Sequence, residues 1–322
     1  MPLIAVAAAV AAALALDLAL GEPPRRAHPT VWIGRLVARL VVAASSRGWG
    51  RAAGVGIVLA VCAAVLGAIG ALGAALAALG PWAWVAWAVA GAILLYAAIS
   101  VRSMSEHVSA VTSRLDGGDI EGARHRLAAV VKRDTRGLGR PHILSALVET
   151  IAENMSDGIV APIAYFALAG APGAMVYRAV NTIDAMAGYR TRELAKIGWF
   201  GATCDTVLGY VPARLTACLI VAAAAILRLD WRGSIAAVRQ DRGATASANA
   251  GWPMAAMAGA LGVRLEKAGH HVICAGGAEP SAGDVAAARR VMVTGSAILA
   301  AAIAAGAACL AASGAGAGWL HA

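Results

Sequence analysis

Long stretches without a single charged residue constrain the fold of this chain more than any other feature of its sequence. Three such windows run from Gly54 to Leu79, from Trp82 to Ser100 and from Val291 to Trp319. Each has the roughly 20 residues that a helix needs to cross about 30 Å of hydrocarbon. Backbone groups in lipid must be satisfied internally, so such windows cross as helices. The sequence therefore predicts an all-α, polytopic helical membrane protein.

Three further apolar windows are less regular. Residues Pro2 to Leu20 include Asp17, a carboxylate that must lie at an interface or be buried for a reason. A signal peptide is the alternative there, but no Lys or Arg precedes the apolar stretch. Prolines or glycines break the windows Gly158–Val176 and Val207–Leu227, which predicts either spans or re-entrant segments. We expect one membrane-embedded domain over residues 1–322, with main polar loops at 101–157, 177–206 and 228–290.

The basic residues are distributed unevenly along the chain. Of the 27 Lys and Arg residues, six lie in 21–53, eight in 101–157, four in 177–206 and eight in 228–290. The positive-inside rule places these helical loops in the cytoplasm. The net charge of +9 therefore indicates topology and contact with anionic membrane lipids. We expect no nucleic-acid partner, because no basic stripe is interleaved with aromatic residues.

A row of carboxylates marks one predicted helix. It starts near Pro141 and is expected to stop at Gly158, and its polar face carries Glu149, Glu153 and Asp157. Four-residue spacing puts successive carboxylates about 6 Å apart along the axis. Such a row suits Mg²⁺, which prefers oxygen ligands. The alternative is a solvated polar face, although like charges four residues apart without a basic neighbour destabilise a helix.

Polar residues also cluster at the edges of the two broken windows. One helical face carries Arg178, Asn181 and Asp184. These residues form either a functional site or an internal ion pair between Arg178 and Asp184. Asp205 lies at the mouth of the next window. The loop Asn249–Pro253 ends with Trp252, which is either a platform for a flat ligand or a membrane-interface tryptophan. No standard phosphate-binding loop is present for a nucleotide.

Many short blocks of the sequence resemble the adenosylcobinamide-phosphate synthases of cobalamin biosynthesis, which are membrane proteins. The blocks follow the order of that family through most of the chain. Two departures are Glu22, where the family has Asp, and Thr30, where it has Val. The blocks are Asp17–Pro24, His28–Pro29, Ile33–Arg35, Arg133–Thr135, Glu149–Asn154, Asp157–Gly158, Ala161–Pro162, Gly170–Ala174, Tyr177–Asp184, Gly188–Tyr189, Pro212–Leu215 and Asn249–Pro253.

The resemblance implies a reaction. Aminopropanol or its phosphate would be joined to the free propionate of adenosylcobyric acid, a corrinoid, by ATP-dependent amide formation. An ATP-driven ligase activates the carboxylate as an acyl phosphate, and the phosphate charge calls for Mg²⁺ and guanidinium groups. The catalytic candidates are Asp184, for the proton of the substrate ammonium, and Glu153. The metal candidates are Glu149, Glu153, Asp157, Asp184 and Asp205, and the substrate or phosphate candidates are Arg133, Arg178, Asn181, Arg190, Asn249 and Trp252.

The resemblance also sets the expected location and leaves two alternatives. The protein would lie in the bacterial inner membrane with its catalytic loops in the cytoplasm, where ATP is found. The windows Gly158–Val176 and Val207–Leu227 would then not both be full spans that separate these loops. One alternative is a related membrane sensor in β-lactamase induction. The other is a small-molecule transporter, suggested by the broken windows, although hydropathy shows no two matching halves.

Overall fold

The computed structural model describes residues 3–131, 133–187 and 195–313 of the 322-residue chain. These residues fold into helices joined by short connections, with one small hairpin near residue 270. The helices are α1 (Leu3–Leu20), α2 (Pro29–Ser46), α3 (Arg51–Ala77), α4 (Ala83–Tyr96), α5 (Val101–Asp116), α6 (Ile120–Leu127), α7 (Arg140–Met155), α8 (Ala161–Ala187), α9 (Trp199–Leu208), α10 (Tyr210–Ile226), α11 (Trp231–Asp241), α12 (Gly251–Leu261) and α13 (Ala282–Ala312), and the strands are β1 (Leu265–Lys267) and β2 (His271–Ile273).

Five helical segments in the described part of the chain are long and apolar enough to cross a membrane. They are Leu3–Leu20, Arg51–Ala77, Gly80–Asp116, Arg140–Ala187 and Ala282–Ala312. The pair Trp199–Leu208 and Tyr210–Ile226, which is bent at a short break, makes a sixth if it counts as one span. The predicted fold class is therefore confirmed: the chain is a helical, multi-pass membrane protein.

The described residues form two compact units, and each is assembled from separate stretches of chain. The first unit comprises the described residues within 1–99, 161–209 and 300–322. Its buried core joins α2, α3, α8 and the segment before α9, with Val37, Val61 and Ala179 at 0% exposure. Asp17 of α1 belongs to this unit and is fully buried. Its carboxylate is therefore enclosed by protein.

The second unit comprises residues 100–160 and 210–299. Helices α11 and α12 approach closely because both carry glycine at the crossing: a Cβ on Gly259 would lie 2.3 Å from the carbonyl oxygen of Gly233. The hydroxyl of Ser234 donates to the carbonyl of Ala256 at 2.8 Å across the same contact. Strands β1 and β2 pair antiparallel, with Lys267 opposite His271. This hairpin is the one sheet in the described residues.

The helix predicted to start near Pro141 is confirmed, but its predicted stop at Gly158 is wrong. After Met155 the chain makes a π-helical turn, Ser156–Val160, and continues directly into α8. The residues that follow Gly158 are apolar and fully buried, which favours continued helix over a break. Helix α8 is broken further on, where Ala169 and Gly170 leave helical geometry and Gly170 has φ +64°. This kink lies in the window predicted to be broken.

Candidate functional site

The carboxylates predicted on α7 belong to a helix that is buried on nearly all sides. All residues from Ile143 to Ala152 are buried, so this helix has no broad solvated face. Pro141 starts it, since a proline in the first turn loses no intrahelical hydrogen bond. Glu149 is only 3% exposed. A carboxylate in such surroundings needs partners of opposite charge or hydrogen-bond donors.

Glu149 finds those partners outside its own helix. Its Oε2 atom forms an ion pair with Nη2 of Arg133 from the loop before α7, and Arg133 is 12% exposed. The hydroxyl of Ser145, one turn earlier, donates to Oε1 at 3.0 Å. Nε2 of His271 lies 3.4 Å from Oε2. Both carboxylate oxygens are therefore engaged, which explains how the charge is tolerated.

The hairpin that carries His271 is fastened to the same cluster. The backbone N–H of Glu266 donates to the hydroxyl of Ser145 at 2.8 Å, so Ser145 contacts both Glu149 and β1. Residues directly opposite in an antiparallel pair project from the same face. Lys267 therefore shares the face of His271. Lys267 and His271 were not among the residues that the sequence analysis selected.

Glu153 and Asp157 lie beyond Glu149 along the chain and differ from it in environment. Glu153 is exposed and Asp157 is half-buried. The charge of Glu149 acts on Glu153, and those of Lys267, Arg133 and His271 oppose it. Asp157 lies in the π-helical turn, which winds more widely than an α-helix and displaces it from a strict four-residue row.

The π-helical turn is tied to the start of α5. The backbone N–H of Ser100 donates to the carbonyl of Gly158 at 3.1 Å, and the hydroxyl of Ser100 donates to Oδ1 of Asn154 at 3.3 Å. A Cβ at Gly158 would lie 2.4 Å from Oδ1 of Asn154 and 2.6 Å from Oγ of Ser100. Glycine is therefore required for this close approach, which sets the position of Asp157.

The Mg²⁺ site expected on the α7 carboxylates stays a prediction. Among residues 3–131, 133–187 and 195–313, no group of three or more His, Cys, Asp or Glu side chains is arranged to hold a metal alone. Mg²⁺ commonly takes one or two protein carboxylates and completes its shell with water and substrate phosphate. The exposed carboxylate of Glu153 suits that role better than Glu149, whose oxygens are engaged.

A second polar cluster lies within the first unit. Nη1 of Arg178 is 3.4 Å from Oδ1 of Asn181, and Nδ2 of Asn181 donates to Oδ1 of Asp205 at 3.2 Å. The structure thus links Asp205 to Arg178 and Asn181, two residues expected to share a helical face. Asp184 is half-buried one turn beyond Asn181. Arg190 lies outside the described residues.

His28 extends the electrostatic surroundings of Arg178. Its Nδ1 accepts a hydrogen bond from the backbone N–H of Thr30 at 3.3 Å and caps α2. Burial lowers the pKa of His28 below its usual value; the charge of Glu22 opposes this shift, and that of Arg178 adds to it. His28 is therefore a neutral cap near neutral pH.

The predicted ligand platform is a stack of aromatic rings and guanidinium groups in the second unit. The guanidinium of Arg214 lies 3.3 Å from the ring centroid of Tyr210 and 4.6 Å from that of Trp252. Arg242 lies 5.5 Å from the same Trp252 ring. Nη1 of Arg214 also donates to Oδ1 of Asn249 at 3.2 Å. Asn249 and Trp252 are thus brought together, and Arg214 holds them.

Comparison with known proteins gives a consistent set of similarities. Residues 10–309 match the family described as CobD/Cbib protein. A "Probable cobalamin biosynthesis protein CobD" of Methanothermobacter thermautotrophicus is 42% identical over 266 residues, which cover 81% of this chain and 84% of the relative. The "Cobalamin biosynthesis protein CobD" of Rhodobacter capsulatus is 41% identical, covering 80% and 81%. That of Photorhabdus laumondii is 39% identical, covering 79% and 80%. No solved structure gives a significant match.

Proposed function

Because the chain belongs to the CobD/Cbib protein family, we propose that it is the membrane enzyme that attaches aminopropanol, or aminopropanol phosphate, to adenosylcobyric acid. Membership gives the coarser role, a biosynthetic enzyme of the cobalamin pathway. The match over residues 10–309 is the observation that carries the proposal, because it includes both polar clusters. The bond formed is an amide between the amine and the free propionate of the corrinoid.

The chemistry of that bond explains why charged groups are needed. A carboxylate is a poor electrophile, so ATP would first transfer its γ-phosphoryl group to the propionate and release ADP. The amine nitrogen would then attack the acyl phosphate carbon, displace inorganic phosphate and lose a proton to a base. Phosphate oxygens gain or shift negative charge in this step, and fixed cations stabilise them. Arg133 is a suitable cation, because its ion pair with Glu149 holds the guanidinium in one place. We propose ATP as a substrate and Mg²⁺ as its partner ion.

Each candidate residue has a proposed role in this reaction. Glu153 and Asp157 would hold Mg²⁺, which when bound neutralises phosphate charge. Glu149 anchors Arg133 rather than offering a free oxygen. In the first unit, Arg178 and Asn181 would bind substrate, Asp205 orients Asn181, and Asp184 would take the proton of the substrate ammonium. Arg190 is proposed as a further phosphate contact from the sequence alone.

The face of the corrin ring calls for a different surface. The ring is large, flat and apolar on its face, with amides around its rim. Trp252 offers a half-buried aromatic surface, and Asn249 offers an amide beside it. We propose that this pair contacts the corrinoid. The protein would lie in the cell membrane with these loops on the cytoplasmic side, where ATP is available.

A direct assay tests the proposal. Purified protein in detergent is supplied with adenosylcobyric acid, Mg²⁺ and either aminopropanol or its phosphate, and the amide product is measured with and without ATP. We expect product only when ATP is present, and from one of the two amines preferentially. Absence of product with both amines would remove the ligase assignment.

Glu153→Gln and Asp157→Asn test the proposed metal ligands. Either change should lower the rate about a hundredfold or more, because an amide is a poor Mg²⁺ ligand. Membrane insertion and yield should stay normal, since Glu153 is exposed. Glu106→Gln is the control, because this exposed carboxylate forms only a surface ion pair with Arg102. Near-normal turnover in either test variant would contradict the assignment.

A further inference from the structure

The hairpin β1–β2 places a lysine beside the α7 cluster. His271 of β2 contacts Glu149, and its side chain is 9% exposed. Lys267 of β1 pairs with His271 in the antiparallel register. The two side chains therefore project from one face of the ribbon, and this is the face turned to α7, where His271 meets Glu149.

Among the described residues, Arg133 and Arg264 each contact a carboxylate, whereas Lys267 contacts none. Arg133 neutralises Glu149, and Arg264 forms an ion pair with Glu266 at 2.6 Å. Among the ion pairs of the described residues, none involves Lys267, although its charge contributes to the field at Glu153. Lys267 is half-buried. A partly desolvated ammonium without a contacting carboxylate favours an anion supplied by a ligand.

His271 gives an independent sign that the cluster is incomplete. Its Nε2 atom is buried and makes no hydrogen bond of good geometry; the nearest carboxylate oxygen, on Glu149, is 3.4 Å away. Buried polar nitrogens are nearly always satisfied, so an exception calls for an explanation. A ligand bound in the cluster would give Nε2 of His271 the hydrogen-bond partner that it lacks.

We propose that the β1–β2 hairpin is a phosphoryl-binding element and that Lys267 is its ligand contact. This inference rests on the proposed function and adds a residue to it. The ligand is a phosphoryl group, carried either by ATP or by aminopropanol phosphate. Lys is well suited to this as a compact point charge with three donors. Ser145 keeps the element in place through the N–H of Glu266.

Kinetics of Lys267→Ala in the full-length protein test the proposal and distinguish the two sources. Loss of one charge-assisted contact should raise one KM by about ten- to a hundredfold. If ATP is the ligand, the KM for ATP rises. If the amine phosphate is the ligand, its KM rises while that of free aminopropanol does not change. Lys267→Arg should restore most of the affinity, and unchanged KM values for both phosphoryl substrates overturn the proposal.

Arg232→Ala is the matched control. It removes one positive charge from the same unit, at an exposed residue of α11 whose guanidinium lies 5.1 Å from the Trp231 ring centroid. An equal rise in KM for this variant would show a general effect of net charge and would overturn the proposal. We expect its constants to match those of the unaltered protein.

Direct binding separates this inference from the ligase assignment. If the unaltered protein forms no amide, the ligase assignment fails, but calorimetry with inorganic phosphate, aminopropanol phosphate and Mg²⁺–ATP still tests the hairpin. At least one of these should bind, and Lys267→Ala should weaken it about tenfold or more. No binding of any of the three, or equal binding by the variant, overturns the phosphoryl site.

Discussion

Two glutamates one turn apart on α7 have different physical situations. Glu149 is buried and bonded on both oxygens, whereas Glu153 is exposed. Sequence spacing does not distinguish the two glutamates, because both belong to the same row of carboxylates four residues apart. Glu149 therefore holds the Arg133 side chain, and Glu153 is the one that we propose as a metal ligand.

The Arg133–Glu149 pair should be strongly coupled in stability. Glu149→Gln removes the counter-charge of the Arg133 guanidinium, which is only 12% exposed. The free energy of unfolding should fall by about 3 to 5 kcal/mol. Arg133→Gln should cost a similar amount. The double variant should be less destabilised than the sum, by about 1 to 3 kcal/mol. Thermal unfolding of the four proteins in one detergent measures the cycle, and additive losses would show that the pair is not coupled.

Trp252 is tested by comparing two Michaelis constants. If its ring contacts the corrin, Trp252→Ala should raise the KM for the corrinoid about tenfold while that for ATP changes little. Trp231→Ala is the control, because Trp231 is 40% exposed in the same unit and its ring also lies beside an arginine. Equal small changes in both constants would favour an interfacial role for Trp252.

At the scale of elements, the π-helical turn between α7 and α8 positions Asp157. Gly158→Ala would force a methyl group against Asn154 and Ser100, and should lower stability by about 1 to 3 kcal/mol. The rate should fall as well, because Asp157 is the preceding residue. Gly56→Ala in α3 has open space around its Cβ and is the control. Unfolding temperature and turnover check both variants, and a Gly158→Ala protein of normal stability would contradict the packing argument.

The elements that the sequence revealed are those with a long apolar pattern. The uncharged windows Gly54–Leu79 and Trp82–Ser100 were predicted to be membrane-spanning helices, and α3 and α4 form at these positions. Strands β1 and β2 have three residues each, too few for an alternating pattern to stand out. Lys267 and His271 were missed for that reason. The signal available was Gly269, which has φ +73° in the turn between them.

The candidate site was predictable in its residue types but not in its partners. Glu149 and Arg133 were both selected, yet their ion pair joins residues whose separation matches no local spacing rule. The link from Asn181 to Asp205 is likewise set by the packing of α8 on α9. Long-range contacts of this kind depend on tertiary structure, which a periodic pattern does not encode.

At the scale of the whole molecule, the distribution of Lys and Arg predicts the side of the membrane on which each loop lies. We predict that Thr191, in the segment outside the described residues, is cytoplasmic. A cysteine placed there in a cysteine-free background should react with an impermeant reagent only after the cells are opened. The turn at Gly80-Pro81 carries no Lys or Arg, so we expect it to face outward, and a cysteine at Leu79 should react in intact cells. Efficient labelling of Thr191→Cys in intact cells would contradict the arrangement.

The assembly of the second unit from distant stretches affects its synthesis. Nη1 of Arg289 donates to Oγ of Ser109 at 2.9 Å, across 180 residues of sequence. At about 5 to 20 residues per second, roughly 9 to 36 s pass between the synthesis of Ser109 and that of Arg289. During that interval α5 has left the ribosome without one of its packing partners. Helix α13 therefore completes a part of the fold that began with α5, much earlier in synthesis.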